Sequence, residues 1–158
     1  WSLGALVTGA AGFAPCTAEA CRELLRAHGI DPAGKRVTVV GRSLVIGRPA
    51  ALLLTRADAT VTLCHRKTPD LAARCRAADI LLAAAGAPGL ITPECVRPGQ
   101  IVLDAGATAL PDGTLRGDVT PAAAAITACT PVPGGIGSVT TALLLRHTVQ
   151  AAEKSHHF

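Results

Sequence analysis

Arg36-Val37-Thr38-Val39-Val40-Gly41-Arg42-Ser43-Leu44-Val45-Ile46-Gly47-Arg48-Pro49 reads as a strand, a turn and the opening of a helix. The β-branched residues from Val37 to Val40 are stiff at χ1 and suit a buried strand, and Gly41 breaks the run. From Gly47 to about Arg56 the apolar side chains recur with helical rather than alternating spacing. The cycle repeats downstream as strand 59–64, helix 70–77, strand 79–84 with a Gly86-Ala87-Pro88-Gly89 turn, a short helix near 93–96, and strand 100–104. Upstream, Thr17 stands where an N-cap would, Glu19 favours the positive helix end and Gly29 can close a helix over 17–28. Towards the end, Pro111-Asp112-Gly113 is a turn suited to a short hairpin. Residues 121–125 make one or two helical turns, 126–132 make a last strand, and 139–152 make a final helix with a frayed tail at 153–158. Short buried strands alternating with helices predict an α/β fold, a mostly parallel sheet covered by helices on both faces.

The 158 residues are 49% hydrophobic and 16% charged, which excludes a disordered polar segment and suits one domain with a sizeable core. Only Trp1, Phe13 and Phe158 are aromatic, so the core is aliphatic and the stacking platforms of single-strand nucleic-acid binders are missing; no nucleic acid is expected as partner. The net charge of +4 is spread along the chain without a basic run, which suits an anionic small ligand better than a polyanion.

Cys16, Cys21, Cys64, Cys75, Cys95 and Cys129 form no C-x-x-C pair and no zinc spacing, so they read as small buried residues and no metal is expected. His156 and His157 read as a terminal remnant rather than ligands. No apolar run approaches the ~20 residues of a membrane span, so no membrane is expected and the reading is cytoplasmic and reduced. The chain opens with Trp1 and contains no Met, which reads as part of a longer protein.

In a doubly wound sheet the first strand–turn–helix receives a dinucleotide phosphate, because the helix N-terminus offers free N–H groups and a positive dipole end. Here Ser43 replaces the second glycine of G-x-G-x-x-G and the third has slipped to Gly47. On the glycines alone, a phosphate site and a plain tight turn both stand. The second strand ends Leu63-Cys64-His65-Arg66-Lys67-Thr68, with no carboxylate for a ribose 2′-hydroxyl. Arg66, Lys67 and Arg42 would instead meet a 2′-phosphate, so NADP is preferred over NAD if a dinucleotide binds; for Lys67 alone a solvated basic turn reads better. Pro131-Val132-Pro133-Gly134-Gly135-Ile136-Gly137 follows the last strand and should emerge on the same edge as Gly41, its glycines letting backbone approach a ligand or simply packing.

Several spaced motifs agree with one family. Pro15-Cys16-Thr17, Gly41-Arg42-Ser43 with Val45-Ile46-Gly47 and Pro49, Ala59-Thr60-Val61-Thr62 with Cys64-His65 and Thr68, Ala78-Asp79-Ile80-Leu81, Gly117-Asp118-Val119 and Thr130 through Gly137 are its marks. Through them the chain resembles the C-terminal NADP-binding domain of the methylenetetrahydrofolate dehydrogenase/methenyltetrahydrofolate cyclohydrolase family, from about Leu3 to Ala152. Four features depart from the family pattern: Ala18-Glu19-Ala20 after Pro-Cys-Thr, Asp104 through Ala109, Ser138-Val139 where the family has proline and methionine, and Arg66 where many members have serine, a change compatible with phosphate binding.

The resemblance implies a Rossmann-like doubly wound fold and an oxidoreductase and hydrolase of one-carbon metabolism. Such an enzyme oxidises 5,10-methylenetetrahydrofolate with NADP and hydrolyses the methenyl product to 10-formyltetrahydrofolate. Carried across by position, Gly41, Arg42, Ser43, Arg66, Ala107 and Thr140 would bind cofactor, and Pro131, Val132, Pro133, Gly134, Gly135, Ile136, Gly137, Ser138 and Val139 would border the tetrahydrofolate substrate. The family's lysine and tyrosine belong to an N-terminal domain. This chain has no tyrosine, and Lys35, Lys67 and Lys154 match no motif, so no catalytic residue is assigned and the isolated chain is expected to be inactive. On this reading 1–16 are a junction to the N-terminal domain, 17–152 the NADP-binding domain with its linking helices and 153–158 a tail, and the resemblance also implies a homodimer through this domain. The alternative from another class is a diverged, non-catalytic dinucleotide-binding or dimerisation module; a dehydrogenase for some other small substrate is weaker, because no catalytic pair is present.

Overall fold

A computed structural model describes residues 3–8 and 12–155. In chain order the elements are helix α1 (Leu3–Thr8), helix α2 (Cys16–Ala27), strand β1 (Arg36–Val40), helix α3 (Gly47–Thr55), strand β2 (Thr60–Cys64), helix α4 (Leu71–Ala77) and strand β3 (Ile80–Ala83). A 3-10 turn (Pro93–Cys95), strand β4 (Ile101–Asp104), the hairpin strands β5 (Thr108–Ala109) and β6 (Leu115–Arg116), helix α5 (Pro121–Ala124), strand β7 (Ala128–Cys129) and helix α6 (Ile136–Ser155) complete it.

Five strands form one parallel sheet in the order β2-β1-β3-β4-β7. The chain leaves β1 on one side, through α3 to β2, and returns through α4 to β3 on the other, so the direction of winding reverses between β1 and β3. Ligands of such sheets bind beyond the carboxyl ends of the strands at that reversal. Strand periodicity divides the core in two. Val37, Val39, Ile80, Leu82 and Leu103 face the buried side of α2, α3 and α6, where Ala20, Cys21, Leu25, Ala50 and Leu54 fill the space. Val40, Leu81, Ala83 and Val102 face the opposite way, onto Cys75, Cys95, Val96 and Ala123. Gln100, fully buried, donates its amide to the carbonyls of Cys75 (2.7 Å) and Ala78 (3.0 Å), so its burial leaves no polar atom unpaired.

Several boundaries differ from the sequence reading. Thr17 is not an N-cap: Pro15 holds that position, its carbonyl accepting the Glu19 N–H at 3.0 Å, and Thr17 is the second helical residue. Asp70 precedes α4 in a left-handed conformation without a side-chain cap. Pairing beside β4 stops early because Pro131 and Pro133 have no N–H; the last bond runs from the Thr130 N–H to the Val102 carbonyl at 3.0 Å. Helix α6 starts at Ile136, inside the stretch expected as loop, and reaches Ser155, so 153–155 are helical rather than frayed. His156 and His157 lie outside the described residues.

Candidate functional site

At the end of β1 the Gly41 N–H donates to the Cys64 carbonyl at 2.9 Å. Gly41 has φ +123, and a Cβ there would strike the carbonyl oxygen of Ala84 at the end of β3; a Cβ at Gly47 would strike the carbonyl of Gly41. Both glycines therefore let this turn nest between β3 and the start of α3. Ser43 Oγ accepts the Ile46 N–H at 3.1 Å and fixes the turn. The backbone N–H groups of Arg42, Leu44 and Val45 have no partner among the described residues, and all three residues are exposed. The result is a rigid turn with free donors at the carboxyl edge of the sheet, a form suited to an anion.

Val40 pairs with Cys64, so the turn after β2 leaves the sheet beside the one after β1. The His65 N–H donates to Thr68 Oγ1 at 2.9 Å and the Lys67 N–H to His65 Nδ1 at 3.2 Å, which leaves Arg66 and Lys67 exposed on a fixed loop. No carboxylate stands at this strand end.

A cleft of about 460 Å³ opens on the same edge. Asp104 through Ala107 and Leu115 line one wall, Pro131 through Ser138 with Thr140 and Thr141 the other, and Thr17 and Ile46 the rest. Ile46 also belongs to the Gly41–Gly47 turn, so the phosphate-type turn and the cleft are continuous. Thr140 Oγ1 donates to the Ile136 carbonyl at 2.9 Å and anchors the first turn of α6. Within the loop, Gly134 has φ +99, and Gly134 and Gly137 have open space where a side chain would begin; a Cβ at Gly135 would strike the Pro131 carbonyl. Val139 faces away: it packs against the aliphatic core and lines a second, apolar groove of about 450 Å³ with Leu24, His28 and Ile30.

Two buried carboxylates hold the walls. Asp104 Oδ1 accepts the N–H groups of Gly106 and Asp118, and Oδ2 that of Val119, all at 3.0 Å. Asp118, fully buried, accepts the N–H groups of Ala85 (2.6 Å) and Gly86 (3.1 Å) on Oδ2 and of Ala87 (2.7 Å) on Oδ1. Asp104 thus fixes the backbone of Asp118, and Asp118 fixes the loop after β3. Burial pushes the Asp104 carboxyl above the usual carboxylate range, against the three N–H bonds that favour its charge, and the neighbouring Asp118 adds to the rise. Gly106 and Gly117 are small because these carboxylates occupy the space beside them.

Of the residues expected to bind cofactor or substrate, the cleft brings together Ala107, Thr140 and Pro131 through Ser138. Gly41, Arg42, Ser43 and Arg66 lie beside it on the adjoining turns, and Val139 is not part of it. Sequence reasoning missed Thr17, Ile46, Leu115 and Thr141 as wall residues and the roles of Asp104 and Asp118; Thr17, Ile46 and Asp118 stood in quoted motifs, while Leu115 and Thr141 carried no signal. Among the described residues no helix is long and apolar enough to cross a membrane.

A model of the tetrahydrofolate dehydrogenase/cyclohydrolase NAD(P)-binding domain matches residues 15–156. The chain is 58% identical over 153 residues to the bifunctional protein FolD 1 of Rhodococcus jostii, covering 96% of this chain and 52% of that protein. It spans about half the length of the curated relatives it matches. Among solved structures, the FolD methylenetetrahydrofolate dehydrogenase/cyclohydrolase of Campylobacter jejuni superposes with TM-score 0.92 at 41% identity, over 97% of this chain and 55% of that one. The Trypanosoma brucei enzyme, solved with NADP cofactor and an inhibitor, superposes with TM-score 0.89 at 42% identity, over 99% of this chain and 57% of that one.

Proposed function

Because the chain belongs to the tetrahydrofolate dehydrogenase/cyclohydrolase family through its NAD(P)-binding domain, we propose that it supplies the NADP-binding half of an enzyme acting on methylenetetrahydrofolate. That enzyme oxidises 5,10-methylenetetrahydrofolate to the methenyl form and hydrolyses this to 10-formyltetrahydrofolate. The observation that carries the reading is the continuity of the Gly41–Gly47 turn with the Pro131–Thr141 cleft through Ile46 at the carboxyl edge of the sheet.

The donor set fits NADP. The free N–H groups of Arg42, Leu44 and Val45 suit a phosphate, and Arg42 and Arg66 on neighbouring turns suit a 2′-phosphate, with no carboxylate to repel it. NADP held there would supply the hydride acceptor. The chain's own part is orientation: Asp104 and Asp118 fix the backbone of the loops flanking the strand ends, Thr140 anchors the helix start, and Pro131 through Ser138 shape the wall against which the folate lies. The hydrolytic step needs a group to manage a proton. Lys35 precedes β1 at the opposite edge of the sheet, Lys67 stands exposed on the turn after β2 and is not among the cleft walls, and no tyrosine is present, so the 158 residues by themselves are read as inactive in it. The reading includes a homodimer through this domain and a cytoplasmic setting.

Parallel calorimetric titrations with NADP and NAD at one salt concentration test the cofactor half. Tighter binding of NADP is expected; equal affinities, or no binding, overturn it. Cyclohydrolase turnover by the isolated chain would overturn the assignment of that step elsewhere.

A further inference from the structure

Where α6 crosses the start of α2, a thiol, an imidazole and a carboxylate stand in line, apart from the cleft residues described above. Cys16 Sγ lies 3.5 Å from His147 Nδ1, and His147 Nε2 lies 3.1 Å from Glu19 Oε2. His147 is buried, 8% exposed, and the ring of Phe13 stacks on it with centroids 4.6 Å apart. Glu19 is held from its other oxygen by Arg146 Nη2 at 2.6 Å. A carboxylate only accepts, so in the neutral imidazole Nε2 carries the ring hydrogen and Nδ1 is left to accept the proton of Cys16. Cys16 is also the first residue of the 12-residue helix α2.

The other five thiols are unlike it. Cys21, Cys64, Cys75 and Cys95 are buried, and burial pushes Cys21 and Cys75 up to about 12. Cys129 is partly exposed, but its thiol donates to the Thr130 carbonyl and burial, with Asp104 nearby, pushes it up to about 11. Only Cys16 combines partial exposure with a basic partner. We propose that Cys16 is a nucleophilic thiol, activated by His147 and Glu19, that undergoes exchange with low-molecular-weight disulfides.

In that exchange the Cys16 proton passes to His147 Nδ1 and Sγ attacks one sulfur of the disulfide. The disulfide bond breaks as the new sulfur–sulfur bond forms, and the leaving thiolate takes up the proton. Cys16 is oxidised to a mixed disulfide while half of the reagent is reduced to a thiol. Thr17, the next residue, lines the cleft, so the modification lies beside the proposed substrate wall.

The test is the time course of the native chain with 5,5′-dithiobis(2-nitrobenzoate), followed by peptide mass mapping, with glutathione disulfide as a second probe. One fast thiol is expected, mapping to Cys16, with the other five reacting after denaturation; the fast phase is lost in Cys16→Ser. His147→Gln should slow it about tenfold, because the ring nitrogen 3.5 Å from Sγ that takes up its proton is removed. Glu19→Gln should slow it less, and decides the matter if His147→Gln fails to fold. Cys129 or another thiol reacting first, or undiminished rates in the folded His147 and Glu19 variants, would overturn the proposal.

Discussion

Asp118 Oδ2 accepts the Ala85 N–H at 2.6 Å, across 33 residues of sequence, and ties the segment between β6 and α5 to the loop following β3. Its carboxylate also receives the next two N–H groups, those of Gly86 and Ala87, so one buried charge organises a loop at the strand ends where the winding of the sheet reverses. Asp118→Asn places an amide NH2 against those donors. A loss of roughly 3 kcal/mol in urea denaturation is expected, since bonds to charged groups are each worth about 1.5–3 kcal/mol. NADP affinity should fall about tenfold or more through misplacement of the loop. Lost stability with unchanged affinity would remove the loop from the cofactor site.

Gly137 is the cleanest probe of the cleft wall, because it is helical and has open space where a side chain would begin. Gly137→Ala should leave stability unchanged or raise it by as much as about 1 kcal/mol. If the wall lies against a ligand, the added methyl should weaken binding in the same variant. Gly135 cannot serve, since a side chain there displaces the Pro131 carbonyl and disturbs the loop itself. Thermal melting with calorimetric titration separates the two effects.

The sheet was legible because β-branched runs such as Val37–Val40 are local signals, and its parallel character followed from the alternation of strands with helices; the strand order β2-β1-β3-β4-β7 came only with the structure. The loop was less so. Glycine means several things in a sequence: Gly41, Gly47 and Gly135 are small because the protein's own carbonyls press on them, while Gly134 and Gly137 face open space. The glycines also concealed the first turn of α6, and with α6 beginning at Ile136, Val139 turns towards the core instead of the cleft. The hydrogen bonds of Asp104 to Asp118 and of Asp118 to Ala85 span 14 and 33 residues, and the Cys16–His147 contact spans 131; no local pattern carries such pairings.

Arg42 and Arg66 stand on adjacent turns beyond β1 and β2, and their value is best read as a ratio. Arg42→Ala combined with Arg66→Ala should weaken NADP by about a hundredfold, as for two charge-assisted contacts of roughly 1.5 kcal/mol each, and change NAD little. Higher salt should narrow the wild-type preference, because the groups are exposed. Equal losses for the two nucleotides would show that these arginines do not read the 2′-phosphate.

Asp79 sets an acid limit on the sheet. Its carboxylate accepts the Arg36 N–H at 3.0 Å and pairs with the guanidinium groups of Arg36 (3.0 Å) and Arg97 (3.1 Å), so it joins the start of β1 to the turn before β4. The bonds from Arg36 come first in holding its pKa down to about 2, below the usual carboxylate range. A carboxyl whose pKa is lower in the folded state than in the unfolded one stabilises the fold above the unfolded value, about 4, and loses that contribution as pH falls towards 2. Thermal midpoints should therefore drop through this window, less steeply in high salt because the side chains are partly exposed. Asp79→Asn should be less stable at neutral pH and flatter in acid, and an unaltered acid slope would assign the loss to other carboxylates.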